Sequence, residues 1–153
     1  MSIIWKYLDK RSAAVDALKD YSNMKFIISN TDSEVRAAYE KMGGIGSPQM
    51  DGMPHVHNPH AVEDRMVKEI EEIDVLRERY RQAVEYMAWF LPAWEELSED
   101  ERYVLETFYG EDNEYGSGSA DDIADYFGIE RASAYRRKNR ALAKLTTLLF
   151  GKQ

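Results

Sequence analysis

The stretch from Ala120 to Leu149 reads ADDIADYFGIERASAYRRKNRALAKLTTLL, two short helical patterns separated by Gly128. The second pattern is rich in basic residues, and the pair predicts a helix-turn-helix whose second helix enters the major groove of DNA. The segment from Arg131 to Gln153 holds seven Lys and Arg residues and no acidic residue, whereas residues 1–130 hold 13 basic and 28 acidic ones. On a chain of net charge −8, this distribution predicts that phosphate binding is confined to the basic end.

The composition of the 153-residue chain limits its class. With 44% apolar residues it can form the core of one domain or two small ones, and the absence of cysteine excludes disulfides and thiolate metal sites. Charged residues interrupt the N-terminal apolar run, and no stretch approaches the roughly 20 apolar residues of a membrane-spanning helix. We therefore expect a cytoplasmic protein without a signal peptide or a membrane partner.

Apolar periodicity predicts an all-α fold with a helical N-terminal region over 1–97. The run Asn30-Thr31-Asp32-Ser33 predicts a turn between two helices within 1–42. Four Gly and two Pro in 43–58 indicate a long loop. Asn58 as N-cap and Pro59 as first helical residue then open one long helix over about 59–97.

The apolar stripe of this long helix, from Val67 to Trp94, needs a cover. A helix of that length spans about 50 Å, more than one small core covers. Residues 1–42 could fold back antiparallel over the stripe, or a second copy of the chain could cover it. We favour a homodimer, because a dimer also presents two DNA-reading helices at a fixed spacing.

Residues 98–153 are predicted to form the DNA-binding domain. Ser98 and Glu101 have the spacing of a capping box, which opens a helix burying Val104, Leu105 and Phe108. The segment from Gly110 to Ser119 indicates an exposed loop, and Ser119 is the expected cap of the next helix. That helix is expected to end at Gly128 in the left-handed conformation and to bury Ile123, Ala124 and Phe127.

The last helix, starting at about Arg131, has two faces when its residues are placed about 100° apart. The expected buried face consists of Ala134, Ala141, Leu142, Leu145, Leu148 and Leu149. Arg can read guanine, Asn can read adenine, and Tyr or Ser can hold phosphate. We assign to the groove Arg131, Ser133, Tyr135, Arg136 and Arg140, with Asn139 on the same outward face. Phosphate contacts are assigned to Arg137, Lys138 and Lys144.

Residues 98–151 resemble the C-terminal, promoter-reading domain of bacterial sigma factors. The resemblance rests on SEDERYVL from Ser98, on Asp122-Ile123-Ala124 with Gly128-Ile129, and on RALAKL from Arg140. The segment SAYRR from Ser133 and the closing LLFG are similar to small phage-encoded transcriptional regulators of the ArpU and RinA type.

This resemblance implies a transcription regulator encoded by a phage or mobile element. It places base reading on Arg131, Tyr135 and Arg136, and Arg140 near the DNA backbone. Two residues depart from the family pattern: Glu130, where Ser or Thr is common, and Arg137, where sigma factors have an apolar residue. No segment resembles the domain that melts promoters, so the chain is not expected to be a complete sigma factor.

Other interpretations of the sequence are weaker. His55, His57 and His60 could bind zinc or nickel, but their spacing matches no helical ligand pair and favours a solvated loop, so no metal or cofactor is expected. No nucleophile–base set or phosphate-binding glycine loop occurs, and we expect no enzymatic activity. The basic helix could instead pack on an acidic neighbour. In an alternative function the sigma-like domain is an adaptor that contacts RNA polymerase or a phage packaging enzyme, with DNA binding secondary.

Overall fold

The computed structural model describes residues 8–43, 59–110 and 118–152. Over these residues the chain is helical and contains no strand, which confirms the predicted all-α class. No helix in the described ranges has the length and apolar character needed to cross a membrane. Five helices are present there: α1 (Lys10–Gly43), α2 (Ala61–Glu96), α3 (Glu99–Tyr109), α4 (Ser119–Phe127) and α5 (Arg131–Phe150).

Helix α1 is continuous through the turn predicted at residues 30–33, so that prediction is wrong. The side chains of Asn30 and Thr31, and of Ser29 just before them, bond to carbonyls of the preceding turn and do not end the helix. The Ser29 hydroxyl and the Asn30 amide both donate to the Phe26 carbonyl at 3.0 Å, and the Thr31 hydroxyl donates to the Ile27 carbonyl at 2.5 Å. Such back-bonding lets Ser, Asn and Thr occupy helix interiors.

Helix α2 confirms the predicted long helix, with a later start. Pro59 and His60 form a turn, and the helix begins at Ala61, where the Asp64 amide bonds to the His60 carbonyl at 2.8 Å. Pro92 lies within the helix, which continues to Glu96. Asn58, the predicted cap, and the loop predicted over 43–58, apart from the helical Gly43, lie outside the described residues.

The chain divides into two compact units, and both α1 and α2 contribute to each. The first unit comprises Met1–Asn23 and Tyr86–Gln153, and the second unit comprises Met24–Glu85. This division differs from the predicted boundary between residues 97 and 98. The start of α1 and the end of α2 belong with α3, α4 and α5, because their apolar side chains share a core with α5.

That core is built around aromatic rings of α1 and α2. Phe90 is completely buried, with its ring centroid 5.2 Å from Tyr21, 5.2 Å from Tyr86 and 5.8 Å from Trp94. The Tyr86 hydroxyl donates to the Ala17 carbonyl, which fixes α1 on α2 at this level. The other buried members are Ala14, Leu18, Ala93, Leu97, Leu105, Ala141, Leu142, Leu145 and Leu149.

The second unit buries smaller side chains. Its buried residues include Thr31 and Ala38 of α1 and Ile73 and Ala83 of α2. The Arg77 guanidinium donates to the Tyr39 hydroxyl at 2.9 Å and so joins the two helices. Much of the apolar stripe stays exposed, including Val67 at 54% and Ile70 at 47%. Folding back of α1 therefore covers the stripe only in part.

Candidate nucleic-acid interface

The three C-terminal helices, α3 to α5, start and end largely at the capping residues and glycines predicted from the sequence. The Ser98 hydroxyl accepts from the Glu101 amide at 3.2 Å, and the Glu101 carboxylate accepts from the Ser98 amide, which confirms the capping box. Ser119 is not a cap, because Gly118 occupies that position at φ +96°. The Ser119 side chain is buried, and its hydroxyl donates to the Thr107 carbonyl at 3.2 Å, bonding α4 to α3.

A tight turn joins α4 to α5. Gly128 is in the left-handed region, at φ +62° and ψ +42°, as predicted. The amides of Gly128 and Ile129 both donate to the Ala124 carbonyl, the latter at 3.0 Å. Glu130 then precedes α5 in an extended conformation and makes no side-chain capping bond. Three residues therefore join the two helices, and α5 starts at Arg131.

A small apolar core holds the three helices together. Its buried members are Val104, Phe108, Ala120, Ile123 and Ala134, and Ile129 packs against them half-buried. Ala124 and Phe127 are also half-buried, so full burial was predicted correctly for Ile123 alone of the three residues named in α4. The N-terminal half of α5 is thereby held by one face, while its other face stays in solvent.

The predicted faces of α5 are largely correct. Ala134, Ala141, Leu142, Leu145 and Leu149 are buried, whereas Ala132, Arg136, Asn139, Arg140 and Ala143 are exposed. Leu148 was wrongly placed in the core and is 42% exposed. Thr146 is buried instead of Leu148, because the buried face of α5 shifts around the helix toward its C-terminal end. Its hydroxyl donates to the Leu142 carbonyl at 2.7 Å, which removes the cost of burying it.

Several predicted DNA-contacting residues have partners within the chain. Arg131 lies 3.8 Å from the Asp121 carboxylate, and both side chains are exposed. A hydrogen bond with Tyr135, followed by the charge of Asp121, raises the pKa of Arg131. The ring centroids of Tyr135 and Phe108 are 5.8 Å apart, so Tyr135 packs against Phe108 on one side. Tyr135 remains 38% exposed. Ser133 is half-buried beside these residues in the first turn of α5.

The three residues assigned to phosphates also have intramolecular contacts. Arg137 stacks over the Phe127 ring at 4.3 Å, and the Lys138 ammonium lies 5.1 Å from the Phe108 centroid. The Lys144 ammonium donates to the Glu101 carboxylate at 3.1 Å. Burial on its own raises the pKa of Glu101, but hydrogen bonds from Lys144 and Ser98 outweigh burial and lower that pKa below its usual range.

Arg136 and Arg140 differ from the other basic residues of α5. Both are exposed, and within the described part of the chain neither makes a hydrogen bond, an ion pair or a contact with an aromatic ring. They are one helical turn apart on the outward face. Their guanidinium groups are therefore available to an external anion without first breaking an internal contact.

Arg11 of α1 also reaches this face, a contact that was not among the sequence-based predictions. Its Nη2 donates to the Asn139 side-chain oxygen at 2.7 Å, across 128 residues of sequence. The neighbouring Lys10 ammonium donates to the Lys152 carbonyl at 3.1 Å. No sequence signal indicates this pairing, because it depends on how α1 packs on α5.

Of the three histidines considered as metal ligands, only His60 lies within the described residues. His55 and His57 lie outside the described residues, and the Nδ1 of His60 lies 3.4 Å from the Glu63 carboxylate. Among the residues that the structure does describe, no group of three or more His, Asp or Glu side chains could hold a metal ion.

Comparison with protein-family models, with curated proteins and with solved structures finds no match to this chain.

Proposed function

We propose that this protein is a sequence-specific, DNA-binding transcription regulator that reads the major groove with α5. In this proposal α4, the turn at Gly128 and α5 act as a helix-turn-helix. The observation that carries it is the outward face of α5, where Arg136 and Arg140 are exposed and unpaired in the described chain while the opposite face is buried. Unpaired guanidiniums on a rigid helix suit bidentate contacts with guanine or phosphate.

The ion pairs within this surface are compatible with DNA binding. Exposed ion pairs contribute only about 0–1 kcal/mol, and the Arg131–Asp121 and Lys144–Glu101 pairs both lie at the surface. A phosphate can therefore displace either carboxylate at low cost. Arg137 and Lys138 lie over aromatic rings of the protein. Their positive charges still attract the DNA phosphates, even where they make no direct contact with the DNA.

The resemblance to sigma-factor and ArpU- or RinA-type domains supports a role in transcription, encoded by a phage or mobile element. The charge of α5 also supports DNA binding, because its 20 residues contain no acidic side chain. Binding is tested by selecting duplexes from a random-sequence pool with the full chain, then titrating salt on a selected and an unselected duplex. Enrichment of one sequence, with a salt-dependent affinity for both, is expected. Absence of DNA binding at low salt would refute the proposal.

The adaptor function is the second candidate. It is favoured by the observation that Arg131, Arg137, Lys138 and Lys144 already have partners within the chain, which leaves fewer unpaired cations for DNA. An adaptor would bind purified RNA polymerase or a packaging enzyme in the absence of DNA, with an affinity that Arg136→Ala leaves unchanged. A regulator that reads DNA would lose sequence preference in the same variant.

We also propose that the protein is a homodimer through the part of α2 that lies in the second unit. Five exposed apolar residues lie there within an arc of about 80°: Val62, Met66, Ile70, Tyr80 and Val84. Residues 61–74 hold six acidic and two basic side chains, whereas 75–85 hold three Arg and two Glu. An antiparallel pair of α2 helices would bury both stripes and place each acidic half against the partner's arginines.

A further inference from the structure

The contact between Arg11 and Asn139 brings a basic residue from the start of the chain onto the outward face of α5. Arg11 lies in the first turn of α1, and Ala14, one turn later, is completely buried in the core shared with α5. The backbone below Arg11 is therefore held firmly by packing. Its guanidinium is exposed, and its Nη2 donates to the Asn139 oxygen at 2.7 Å.

The chemistry of this contact determines what Asn139 can do. An arginine side chain can only donate hydrogen bonds, so the atom that Asn139 turns toward Arg11 must be its carbonyl oxygen. Bidentate reading of adenine needs that oxygen to accept from the base while the amide nitrogen donates. The Arg11 contact takes one of the two lone pairs of that oxygen and fixes the direction of the side chain. The contact therefore competes with the role of adenine reader that the sequence suggested for Asn139.

The same contact leaves most of the Arg11 guanidinium available. Arginine has five N–H donors, and Asn139 accepts from one nitrogen. Asn139 lies one turn after Arg136 and directly before Arg140, so three guanidinium groups belong to one region of the surface. Like charges near one another repel, and a bound anion relieves that repulsion. The Asp9 carboxylate lies just before this first turn, where it accepts hydrogen bonds from the amide and the hydroxyl of Ser12, at 3.1 and 2.9 Å. Its negative charge also interacts with Arg11.

We propose that Arg11, positioned by Asn139, contacts a phosphate of the bound DNA, so that α1 is part of the DNA-binding surface. This inference rests on the proposed DNA-binding function. Asn139 acts as a positioning residue for Arg11 and does not read a base. The contribution of Arg11 is independent of sequence, because a phosphate contact orients the protein on the duplex without distinguishing bases.

The test compares Arg11→Gln with Arg36→Gln, which removes the same charge from an exposed arginine 25 residues further along α1. Affinity of the full chain is measured by fluorescence anisotropy over a series of salt concentrations, on a selected and an unselected duplex. Arg11→Gln should weaken binding to both duplexes by the same factor and reduce the slope of log K against log salt by about 0.9. Arg36→Gln should match the wild type.

Two further variants separate a phosphate contact from a structural role. Arg11→Lys keeps the charge and should keep the salt slope, whereas a purely structural arginine would not be replaced by lysine. Asn139→Ala should leave both the slope and the base preference unchanged, with a small loss of affinity. A wild-type slope in Arg11→Gln would overturn the inference, as would a selective loss at the selected sequence in Asn139→Ala. If the wild type binds no DNA, the proposed function itself fails, and this outcome is distinct from both.

Discussion

Phe90 and Phe26 show how differently the two units use the same kind of side chain. Phe90, in the first unit, is completely buried among aromatic rings, whereas Phe26, in the second unit, is 60% exposed. Aliphatic side chains differ between the units in the same way. The first unit buries Leu105, Leu142 and Leu145, whereas the second leaves Val67 and Ile70 exposed. The first unit buries a core of aromatic and aliphatic side chains, and the second leaves apolar surface that a partner can cover.

The largest expected effect tests this difference in burial directly. Phe90→Ala should lower the free energy of unfolding of the first unit by about 3–5 kcal/mol, because it removes a large side chain and leaves a cavity. Phe26→Ala, the matched substitution at an exposed site, should change it by less than about 0.5 kcal/mol. Urea unfolding followed by tryptophan fluorescence measures both. Equal losses in the two variants would mean that the units do not differ in the way described.

The next effect concerns the exposed stripe of the second unit. Ile70→Lys places a charge in the proposed interface of both subunits and should weaken dimerisation by about 2 kcal/mol or more. Sedimentation equilibrium at micromolar concentration should then give a monomer mass for this variant and a dimer mass for the wild type. Val75→Lys, the same kind of change at an exposed apolar residue of α2 outside the arc, is the control. A wild-type monomer that still binds DNA would refute the dimer.

The next effect concerns the proposed DNA-reading residues of α5, all of which lie in the first unit. Arg136→Ala should weaken binding to the selected sequence by about 1–3 kcal/mol more than binding to random DNA, if Arg136 reads a base. Lys144→Ala should weaken both alike and reduce the salt slope by about one. Arg36→Ala, at an exposed arginine of α1 in the second unit, should affect neither. Equal effects of Arg136→Ala and Lys144→Ala on the two duplexes would contradict the assignment of base and phosphate contacts.

The smallest effect is a pH dependence within the first unit. The pKa of Glu101 is lower in the folded protein than in the unfolded chain. Its pairing with Lys144 therefore stabilises the fold above the unfolded pKa of Glu, about 4.3. This stabilisation is lost as the pH falls through the pKa of Glu101 in the folded protein. Glu101→Gln keeps a side chain suited to the capping box but removes the charge. The variant should be less stable by no more than about 1 kcal/mol at pH 7.

Thermal unfolding of wild type and Glu101→Gln between pH 7 and pH 3 measures this difference. The difference in stability between the two proteins should shrink as the pH falls. A difference of the same size at pH 7 and at pH 3 would assign the contribution of Glu101 to its hydrogen bonding as a cap and not to its charge.

Errors in the sequence-based predictions share a physical cause. Asn30 and Thr31 were interpreted as part of a turn because such side chains often compete with the helix backbone, yet here they bond to the helix itself. Ser119 was interpreted as a cap, but α3 lies close enough for its hydroxyl to bond to Thr107 instead. In both segments the side chain had two hydrogen-bonding solutions, and packing selected between them.

The sequence by itself determined those features that depend on a few neighbouring residues. The capping box at Ser98, the left-handed Gly128 and the outward face of α5 follow from local hydrogen bonding, backbone sterics and helical periodicity. Only the tertiary structure decided which cations remain unpaired on that face. Glu101 reaches Lys144 across 43 residues and Arg11 reaches Asn139 across 128, because helices packed on a common core bring distant side chains together. Local patterns carry no information about such contacts.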